Sequence, residues 1–477
     1  MVQVPANALL RRENREHDYR FTESGSTSDN RLMPTDQFHE WFAERARAGV
    51  LEVRRVPFAE LDGWDFDPDT GNLRHVSGRF FTVEGLEVQT DYGPVPRWTQ
   101  PIINQPEIGI LGILVKQIDG VLHCLMQAKM EPGNLPLLQL SPTVQATHSN
   151  YTRVHRGGSV PYLEHFVGDR RGRVLVDVLQ SEQGAWFHHK RNRNIVVETT
   201  QDVPLHPDFC WLTLGQLQEL LQLDNVVNMD ARTVLSCIPF GTPGGAGTDS
   251  GFRSALVRSL ARDEGTLHSM GEILSWVTET KTRYRLAVRR IPLNDVTGWR
   301  RGDDTIAHTE GKHFETIAVS VEGNTREVAN WTQPLFAPRD QGVIAFLTKR
   351  IEGVLHVLVH ARIEPGYLDM VELAPTVQCT PSNYEGLPAG SRPAFLDEVL
   401  TAPPERVRYD AVQSEEGGRF YRARNRYMVV EVDGDFPLAA SEDHRWLTVS
   451  QLTDLLQHSR YLNVQARTLT ACLHGLW

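Results

Sequence analysis

The sequence predicts an α+β fold made of two tandem copies of one domain. The first observation is a repeat: residues 97–198 and 330–431 contain the same short motifs in the same order. These motifs are Trp-Thr-Gln-Pro, Glu-Pro-Gly, Pro-Thr-Val-Gln, Ser-Asn-Tyr, Gln-Ser-Glu and Arg-Asn-Arg. The second is that apolar runs flank Asp119-Gly120 and Glu352-Gly353, the pattern of a hairpin turn. So long a period indicates a duplicated domain, and hairpins mixed with helical segments indicate mixed sheets flanked by helices.

Each copy is predicted to open with an amphipathic helix. In the first copy Thr35 or Asp36 is the predicted cap, and Gly49 is the predicted end. The apolar side is formed by Phe38, Trp41 and Phe42, with Arg45 beside them. The corresponding apolar residues of the second copy are Ile273, Leu274 and Val277.

Strands and two closing helices are predicted to complete each copy. Strands over 51–57 and 286–292 lead to Trp64 and Trp299. After the hairpin, a second pair of strands surrounds 181–184, and again 414–417. The closing helices of the first copy contain Leu214, Leu217, Leu220 and Leu221, and then residues 229–237.

Composition places the boundaries of four segments. Residues 1–30 are polar and charged, and we expect a mobile arm there. Residues 31–238 form the first repeat and residues 255–477 the second. Between them, residues 239–254 are rich in glycine and proline and form the predicted linker.

Charge and composition argue against nucleic-acid and membrane proteins. The net charge of −11 is spread along the chain, so no basic surface is indicated. No apolar run reaches the length of a membrane helix, and the N-terminus lacks the apolar core of a signal peptide. The five cysteines include no C-x-x-C pair, which favours free thiols in a reducing cytosol and a cytoplasmic location.

Several common catalytic motifs are missing from the sequence. It contains no phosphate-binding G-x-x-x-x-G-K-[ST] loop, no dinucleotide G-x-G-x-x-G fingerprint, no G-x-S-x-G elbow and no H-E-x-x-H zinc motif. Adjacent His188 and His189 are predicted to point to opposite faces of a strand and therefore cannot share one metal ion.

A long polar segment, residues 139–153, is predicted to be a loop that holds ligand-binding residues on a rigid scaffold. Its counterpart in the second copy contains the same Ser-Asn-Tyr sequence. The candidate binding residues in the two segments are Thr147, Ser149, Asn150, Tyr151, Thr152, Arg153, Ser382, Asn383 and Tyr384.

A second candidate segment is a cationic strand at 186–194. Alternation puts Arg191 and Arg193 on one face, with Lys190 on the other. Two guanidiniums on one face suit a diphosphate, because each can hold oxygens bidentately. The alternative is cross-strand ion pairs with Glu182 and Glu198. The second copy repeats the pair as Arg424 and Arg426, which modestly favours ligand binding.

Aromatic residues are also candidates, each with a plainer alternative. Trp64 and Trp299 could stack on a base or sugar, or could simply pack in the core. Tyr151 and Tyr384 could act as acids or bases only if nearby cations depress the tyrosine pKa. Otherwise, packing with a hydrogen-bonded hydroxyl is the more common role of a tyrosine.

Segments 139–153 and 180–194, with their degenerate counterparts in the second copy, resemble the NDP-hexose 2,3-dehydratase family of deoxysugar biosynthesis, which supplies antibiotic glycosides. The resemblance covers nearly the whole chain after the N-terminal arm. It implies tandem Nudix-like domains, a homodimer, a dTDP-sugar pocket possible in each half, and a substrate such as dTDP-4-keto-6-deoxy-D-glucose. The product would be the 3,4-diketo-2,6-dideoxy sugar, which needs a partner NADPH-dependent 3-ketoreductase.

One departure from Nudix hydrolases is informative. Neither copy contains the R-E-x-x-E-E helix whose glutamates hold the divalent metals of diphosphate hydrolysis. The resemblance therefore implies that the diphosphate is held and not cut, with no metal. No redox cofactor is implied either, because formal oxidation at C-3 balances the loss of oxygen at C-2.

The implied reaction begins with removal of the C-3 hydrogen beside the 4-keto group. The base is Tyr151 or Glu182, or their equivalents Tyr384 or Glu415 in the second copy. Arg153 or Lys190 would stabilise the enolate oxygen.

The first copy is slightly favoured as the active pocket. The second has Glu385-Gly386 after its tyrosine, where the first has Thr152-Arg153, and a carboxylate would repel the diphosphate. If N-terminal parts are exchanged, Trp64 would complete the second pocket and Trp299 the first.

Two other functions fit the same residues. One is a non-catalytic Nudix-like protein that binds nucleotide sugars as a sensor or scaffold. The other is a sugar-nucleotide hydrolase with unconventional metal ligands. The missing metal-binding helix argues only against the hydrolase.

Overall fold

A computed structural model describes residues 15–147, 160–168, 172–239, 251–261, 265–324, 328–387 and 389–477. Within the first repeat the helices and strands are α1 (Arg15–Gly25), α2 (Thr35–Ala48), β1 (Leu51–Val56), β2 (Trp64–Phe66), β3 (Leu73–His75), β4 (Thr82–Thr90), β5 (Arg97–Asn104), β6 (Gly109–Ile118), β7 (Val121–Met130), β8 (Leu138–Ser141), β9 (Val144–Ala146), β10 (Arg173–Ser181), β11 (Phe187–His188), β12 (Arg191–Glu198), β13 (Phe209–Thr213), α3 (Leu214–Leu220) and α4 (Met229–Ser236).

The second repeat follows the same order. It contains α5 (Phe252–Leu260), α6 (Met270–Arg283), β14 (Leu286–Ile291), β15 (Trp299–Arg301), β16 (Thr305–His308), β17 (Phe314–Gly323), β18 (Asn330–Pro338), β19 (Gly342–Ile351), β20 (Val354–Ile363), β21 (Val371–Pro375), β22 (Val377–Cys379), α7 (Leu396–Leu400), β23 (Val407–Ser414), β24 (Arg424–Glu431), β25 (His444–Thr448), α8 (Val449–Leu456) and α9 (Val464–Leu473). No helix in the described part of the chain is long and apolar enough to span a membrane.

Each repeat has one large mixed sheet. Strands β10-β12-β6-β7-β13 form the first, with β8 on β7 and β9 on β6. Strands β21-β20-β19-β24-β23 form the second in the same way, with β22 on β19 and β25 on β20. Among the described strands of these sheets, only β6 with β12, and β19 with β24, run parallel. The α+β class with mixed sheets is therefore confirmed.

The two smaller sheets exchange a strand between the repeats. One contains β2-β3-β4-β5-β11 and receives β14 from the second repeat on β4. The other contains β15-β16-β17-β18 and receives β1 from the first repeat on β17. The exchange gives each repeat a backbone ladder that it cannot form alone.

Local signals in the sequence predict several elements correctly. Asp119 and Gly120 have φ values of 50° and 88°, as a tight primed turn requires, and Glu352-Gly353 repeats them. Helix α2 ends before Gly49 as predicted, but its N-cap is Pro34 and not Thr35 or Asp36. The Thr35 hydroxyl instead accepts a hydrogen bond from Gln216 Nε2 at 3.3 Å.

Three predictions are wrong, the first two at segment boundaries. The predicted arm includes α1, whose Phe21 is buried against the first repeat, and Ser24 donates to the carbonyl of Leu122 at 2.6 Å. The predicted linker includes the start of α5 at Phe252. Helix α5 is the counterpart of α1, because Ser259 donates to Leu355 O in the same way.

The third is the predicted loop over 139–153, because its residues up to Ala146 form β8 and β9. The polar side chains that suggest a loop are hydrogen-bonded inside the sheet. Gln139 donates to Ser414 Oγ at 2.7 Å, and Thr143 Oγ1 accepts from Leu114 N at 2.8 Å. Polarity in this segment therefore reflects buried hydrogen bonding, not exposure.

The repeated Glu-Pro-Gly motif holds the two repeats together. Gly133 N donates to Gly417 O at 2.8 Å, and Gly366 N donates to Gly184 O at 2.7 Å. A Cβ at Gly133 would lie 1.7 Å from Phe420 O, and one at Gly366 would lie 1.8 Å from Phe187 O. Only glycine allows this close backbone approach.

Gly133→Ala is expected to destabilise the protein by about 3 kcal/mol, because the methyl group forces the repeats apart. Gly434→Ala is the control, since a Cβ there meets nothing within 4 Å. Urea unfolding midpoints measure both. Equal midpoints for the two variants would contradict the assigned role of Gly133.

A buried carboxyl also joins the repeats. The Ser181 hydroxyl of the first repeat donates a hydrogen bond to the Glu372 carboxyl of the second at 2.5 Å. The counterpart pair is Gln139 and Ser414, in which the Gln139 amide donates to the Ser414 hydroxyl. Burial raises the pKa of Glu372 to about 8, and Arg467 opposes the shift. Because the pKa of Glu372 is higher in the folded protein than in the unfolded chain, the folded protein keeps this proton over a pH range in which the unfolded chain has released it. The stability contributed by protonated Glu372 is therefore complete at acid pH and is lost as the pH rises towards 8.

Glu372→Gln, which recreates the counterpart residue, is expected to remove that pH dependence. The melting temperature of the variant minus that of the wild type should rise between pH 5 and pH 8 and then level. Other titrating groups are common to both proteins and cancel in the difference. A difference that stays constant with pH would contradict a raised Glu372 pKa.

Candidate active site

One cavity of about 370 Å³ lies where the large sheet of the first repeat meets the second repeat, a volume typical of small-ligand sites. Its lining contributed by the first repeat includes Trp64, His75, Phe80, Phe81, Lys129, Glu131, Gln145, Thr147, Glu182, Lys190, Asn192 and Asp230. The second repeat contributes residues that include Asn330, Trp331, Thr332, Gln333, Glu416 and Arg419. The cavity is therefore a composite of both repeats.

Glu182 lies in the polar lining of the cavity and follows directly after β10. It is 3% exposed, and its Oε1 accepts from Asn192 Nδ2 at 2.7 Å. Its Oε2 is buried without a hydrogen-bond partner among the described residues. Burial raises the pKa of Glu182, while Arg467, Asn192 and Lys190 oppose the shift. A buried carboxyl with a raised pKa and an oxygen without a partner is suited to accept or give a proton.

Lys190 supplies a buried amine beside Glu182. Its Nζ donates to Glu107 O at 2.5 Å. Burial lowers the pKa of Lys190 to about 8, although Glu182 and Glu107 favour the charged form. The loop from Glu182 to Lys190 is closed by a hydrogen bond from Glu182 N to Lys190 O at 3.0 Å. This bond holds the carboxyl and the amine on the same wall.

Two further carboxyls line the same wall. Asp230, in the first turn of α4, has a buried Oδ1 without a partner in the described structure. Burial raises the pKa of Asp230, and Glu182 and Glu131 raise it further. Glu416 comes from the second repeat. Burial raises the pKa of Glu416 to about 7, Arg419 opposes this, and Glu131 and Glu182 add to it.

A second hydrogen-bonded group of side chains also lines the cavity. Gln145 Nε2 donates to Glu131 Oε1 at 2.7 Å, and Lys129 Nζ lies 3.4 Å from Gln145 O. Arg419 donates to Gln105 at 3.1 Å and lies 4.2 Å from the centre of the Phe81 ring. The cavity thus offers positive charge beside aromatic rings, which suits an anionic group joined to a planar one.

The equivalent site in the second repeat is termed the filled site, because its charged groups are taken up by contacts with other groups of the protein. Tyr367 is buried, and a Cβ at Gly184 would lie 2.5 Å from its ring. Arg362 forms a 2.7 Å ion pair with Glu364, the counterpart of Glu131. Glu415, the counterpart of Glu182, accepts from Gln183, Asn425 and Tyr427 at 2.6–2.8 Å. These contacts use both carboxylate oxygens of Glu415.

Several charged residues distinguish the open cavity from the filled site. At these positions the other repeat carries neutral side chains. The pairs include Lys190 and Ala423, Asp230 and Gln465, Glu416 and Gln183, and Arg419 and Trp186. The differences remove charge from one site and concentrate it in the other.

The candidate residues of the long polar segment fall in different places. Thr147 lines the cavity. Ser149, Asn150, Tyr151, Thr152 and Arg153 lie outside the described residues. In the second repeat, Ser382 donates to Asp340 at 2.7 Å, and Asn383 accepts from His313 N at 3.3 Å.

Tyr384 is half-buried, and burial raises its pKa. This shift is opposite in direction to the lowered pKa that an acid–base role would require.

The arginine pairs do not line the cavity. Arg193 forms a bidentate ion pair with Asp177, and Arg426 forms one with Asp410, with all four distances between 2.5 and 2.8 Å. Cross-strand pairing, the alternative drawn from the sequence, is thus observed, but with these aspartates instead of Glu182 and Glu198. Arg191 and Arg424 are also absent from the cavity lining.

The two tryptophans are used differently. Trp64 lines the cavity and is 7% exposed, and its Nε1 donates to Thr332 O at 3.0 Å. Trp299 donates to Thr99 O at 3.2 Å and packs in the core without lining the cavity. The expected exchange is therefore wrong in its assignment, because Trp64 belongs to the cavity that contains Glu182.

The histidine prediction is also wrong. The rings of His188 and His189 stack with centroids 3.9 Å apart instead of pointing to opposite faces. The strand breaks at His189, which has a φ of 54° and donates from its backbone to Gly366 O at 2.8 Å. Among the described residues, no group of three or more His, Cys, Asp and Glu side chains is arranged to hold a metal ion.

Sequence analysis misses Lys129, Glu131, Asp230, Glu416 and Arg419. A signal for three of them is present in the sequence, because aligning the repeats places glutamine opposite Asp230 and Glu416, and tryptophan opposite Arg419. A charged residue facing a neutral counterpart marks a position where the copies have diverged.

Comparison with known proteins identifies the class. The model of the NDP-hexose 2,3-dehydratase family matches twice, at residues 35–238 and 270–473. The chain therefore belongs to the NDP-hexose 2,3-dehydratase family, which confirms the resemblance drawn from the sequence.

Particular relatives share one name, dTDP-4-dehydro-6-deoxy-alpha-D-glucopyranose 2,3-dehydratase. The protein of Saccharopolyspora spinosa is 58% identical over 462 residues, 96% of this chain and 95% of the relative. That of Amycolatopsis orientalis is 52% identical over 479 residues, 99% and 97% of the two chains. That of Streptomyces violaceoruber is 52% identical over 450 residues, 94% and 98%.

Proposed function

We propose that this protein is a 2,3-dehydratase acting on dTDP-4-keto-6-deoxy-D-glucose, and that the composite cavity is its active site. The name shared by its relatives supports the substrate. The choice of site rests on the concentration of acid–base groups in this one cavity. At the positions of Lys190, Asp230 and Glu416, the other repeat has the neutral residues Ala423, Gln465 and Gln183.

The chemistry begins at C-3, whose hydrogen is acidified by the 4-keto group. Glu182 removes this proton through Oε2, the oxygen that has no partner among the described residues. Lys190 stabilises the enolate oxygen at C-4 with its cationic form. Tyr151, outside the described residues, stays the alternative base.

Collapse of the enolate expels the C-2 hydroxyl as water. The remaining C-3 enol tautomerises to the 3,4-diketone, so that oxidation at C-3 balances the oxygen lost from C-2. No step transfers electrons to a cofactor. The diphosphate serves as a handle, and Arg419 or Lys129 would meet its charge.

Several finer assignments belong to the same proposal. The repeats at 31–238 and 255–477 would be Nudix-like domains, extended at their N-terminal ends by α1 and α5. The protein would act in the cytoplasm as a homodimer, in antibiotic deoxysugar biosynthesis. An NADPH-dependent 3-ketoreductase would consume the diketone, whose adjacent carbonyls make it unstable.

Incubation with dTDP-4-keto-6-deoxyglucose in excess EDTA tests the function, with a 3-ketoreductase and NADPH present to trap the product. Mass spectrometry is expected to show a reduced sugar that has lost one oxygen. Unchanged substrate that still raises the melting temperature would favour a protein that only binds nucleotide sugars. Release of dTMP that EDTA abolishes would favour the hydrolase.

Variants at the cavity are expected to lose turnover while still folding. Glu182→Gln should lower kcat about a hundred- to ten-thousandfold, as loss of a positioned base does. Lys190→Ala, which recreates Ala423, should lower kcat about a hundredfold or more. Lys116→Ala, outside the cavity, is the matched control. Wild-type kcat in both cavity variants would contradict the site.

The tyrosines are tested separately. If Glu182 is the base, Tyr151→Phe and Tyr384→Phe should both keep kcat close to the wild-type value in the trapped assay. A loss of kcat about a hundredfold or more in Tyr151→Phe alone would move the role of base to that tyrosine.

A further inference from the structure

One pair of side chains at the boundary between the repeats differs between the two sites. In the filled site, Gln183 Nε2 of the first repeat donates to Glu415 Oε2 of the second at 2.8 Å. The counterpart pair in the open cavity is Glu416 of the second repeat and Glu182 of the first. A carboxyl thus replaces the amide donor, and it can donate only while it holds a proton.

Both carboxyls of the cavity pair keep an oxygen available. Glu182 Oε2 and Glu416 Oε2 are buried and without hydrogen-bond partners among the described residues. The remaining oxygens are committed, because Glu182 Oε1 accepts from Asn192 and Glu416 Oε1 accepts from Gly418 N at 3.0 Å. The arrangement leaves one acid oxygen from each repeat to meet a ligand in the cavity.

The charges of Glu182, Glu416 and Asp230 also interact. Glu182 and Glu416 each raise the pKa of Asp230, and Glu182 raises that of Glu416. Burial is the larger cause for Glu416, whose pKa rises to about 7 against the opposing charge of Arg419. Because the charges of buried carboxylates repel one another, ionisation of one carboxyl opposes ionisation of the other.

We propose that Glu416 is the general acid of the reaction and acts together with Glu182, the base, from the other repeat. This role rests on the dehydratase function proposed above. Glu182 takes the C-3 proton, the bond between C-2 and oxygen breaks, and the proton of Glu416 leaves with the hydroxyl as water. Tautomerisation of the enol then moves the Glu182 proton to C-2 and returns the enol hydroxyl proton to Glu416.

Glu416→Gln separates the two proton transfers. The variant recreates the glutamine–glutamate pair of the filled site, so it should fold with a melting temperature near that of the wild type. Glu398→Gln is the control, because Glu398 is exposed on α7 and does not line the cavity. Both variants and the wild type are incubated with dTDP-4-keto-6-deoxyglucose in D2O, with the ketoreductase trap in parallel reactions.

Dehydration by Glu416→Gln is expected to fall about a hundred- to ten-thousandfold. Deuterium should still enter C-3 of the recovered substrate, as located by NMR, because Glu182 still removes that proton. Glu182→Gln should lose both activities, and Glu398→Gln should keep both.

Three results would overturn the role of Glu416. Wild-type dehydration by Glu416→Gln would show that it is not the acid. Loss of C-3 exchange together with dehydration would place Glu416 at or before proton removal. Failure of the wild type itself to dehydrate this substrate would overturn the proposed function along with it.

Discussion

Two buried guanidiniums that cross between the repeats hold the remaining structure in place. Arg232 and Arg467 are both 0% exposed. Arg467 donates to Leu462 O of its own repeat at 2.8 Å and to Ser181 O of the first repeat at 2.5 Å. Arg232 likewise donates to Val227 O of its own repeat and to Ser414 O of the second repeat. A buried guanidinium is tolerated only when its donors are satisfied, so each repeat depends on carbonyls of the other.

This constraint extends to the chemistry of the cavity. Ser181 immediately precedes Glu182, so the bond from Arg467 fixes the end of β10 from which the carboxyl projects. The same guanidinium opposes the rise in the Glu182 pKa that burial causes. Arg467 of the second repeat therefore contributes both to the position of Glu182 and to its ionisation. The exchange of β1 and β14 adds two antiparallel backbone ladders between the repeats.

Local patterns in the sequence predict the repeat, the primed turns, the closing helices and the family. They do not predict strand exchange, because β1 and β14 have the same sequence pattern whichever repeat they pair with. They mistake residues 139–146 for a loop, since burial of Gln139 and Thr143 depends on partners far away in the chain. Of the cavity residues, the sequence already names Lys190 from its cationic strand and Glu182 from the chemistry that the family resemblance implies. It does not name Glu416, which comes from the other repeat.

Duplication explains how an unfavourable arrangement can persist. A buried carboxyl with an unsatisfied oxygen costs about 1–3 kcal/mol, and the open cavity contains such oxygens on Glu182, Asp230 and Glu416. The filled site avoids much of this cost, because Glu415 is fully hydrogen-bonded and Arg362 is paired with Glu364. The exchanged strands and crossing arginines link both sites in one cooperative structure. One repeat can thus stabilise the chain while the other keeps its acid groups available for a ligand.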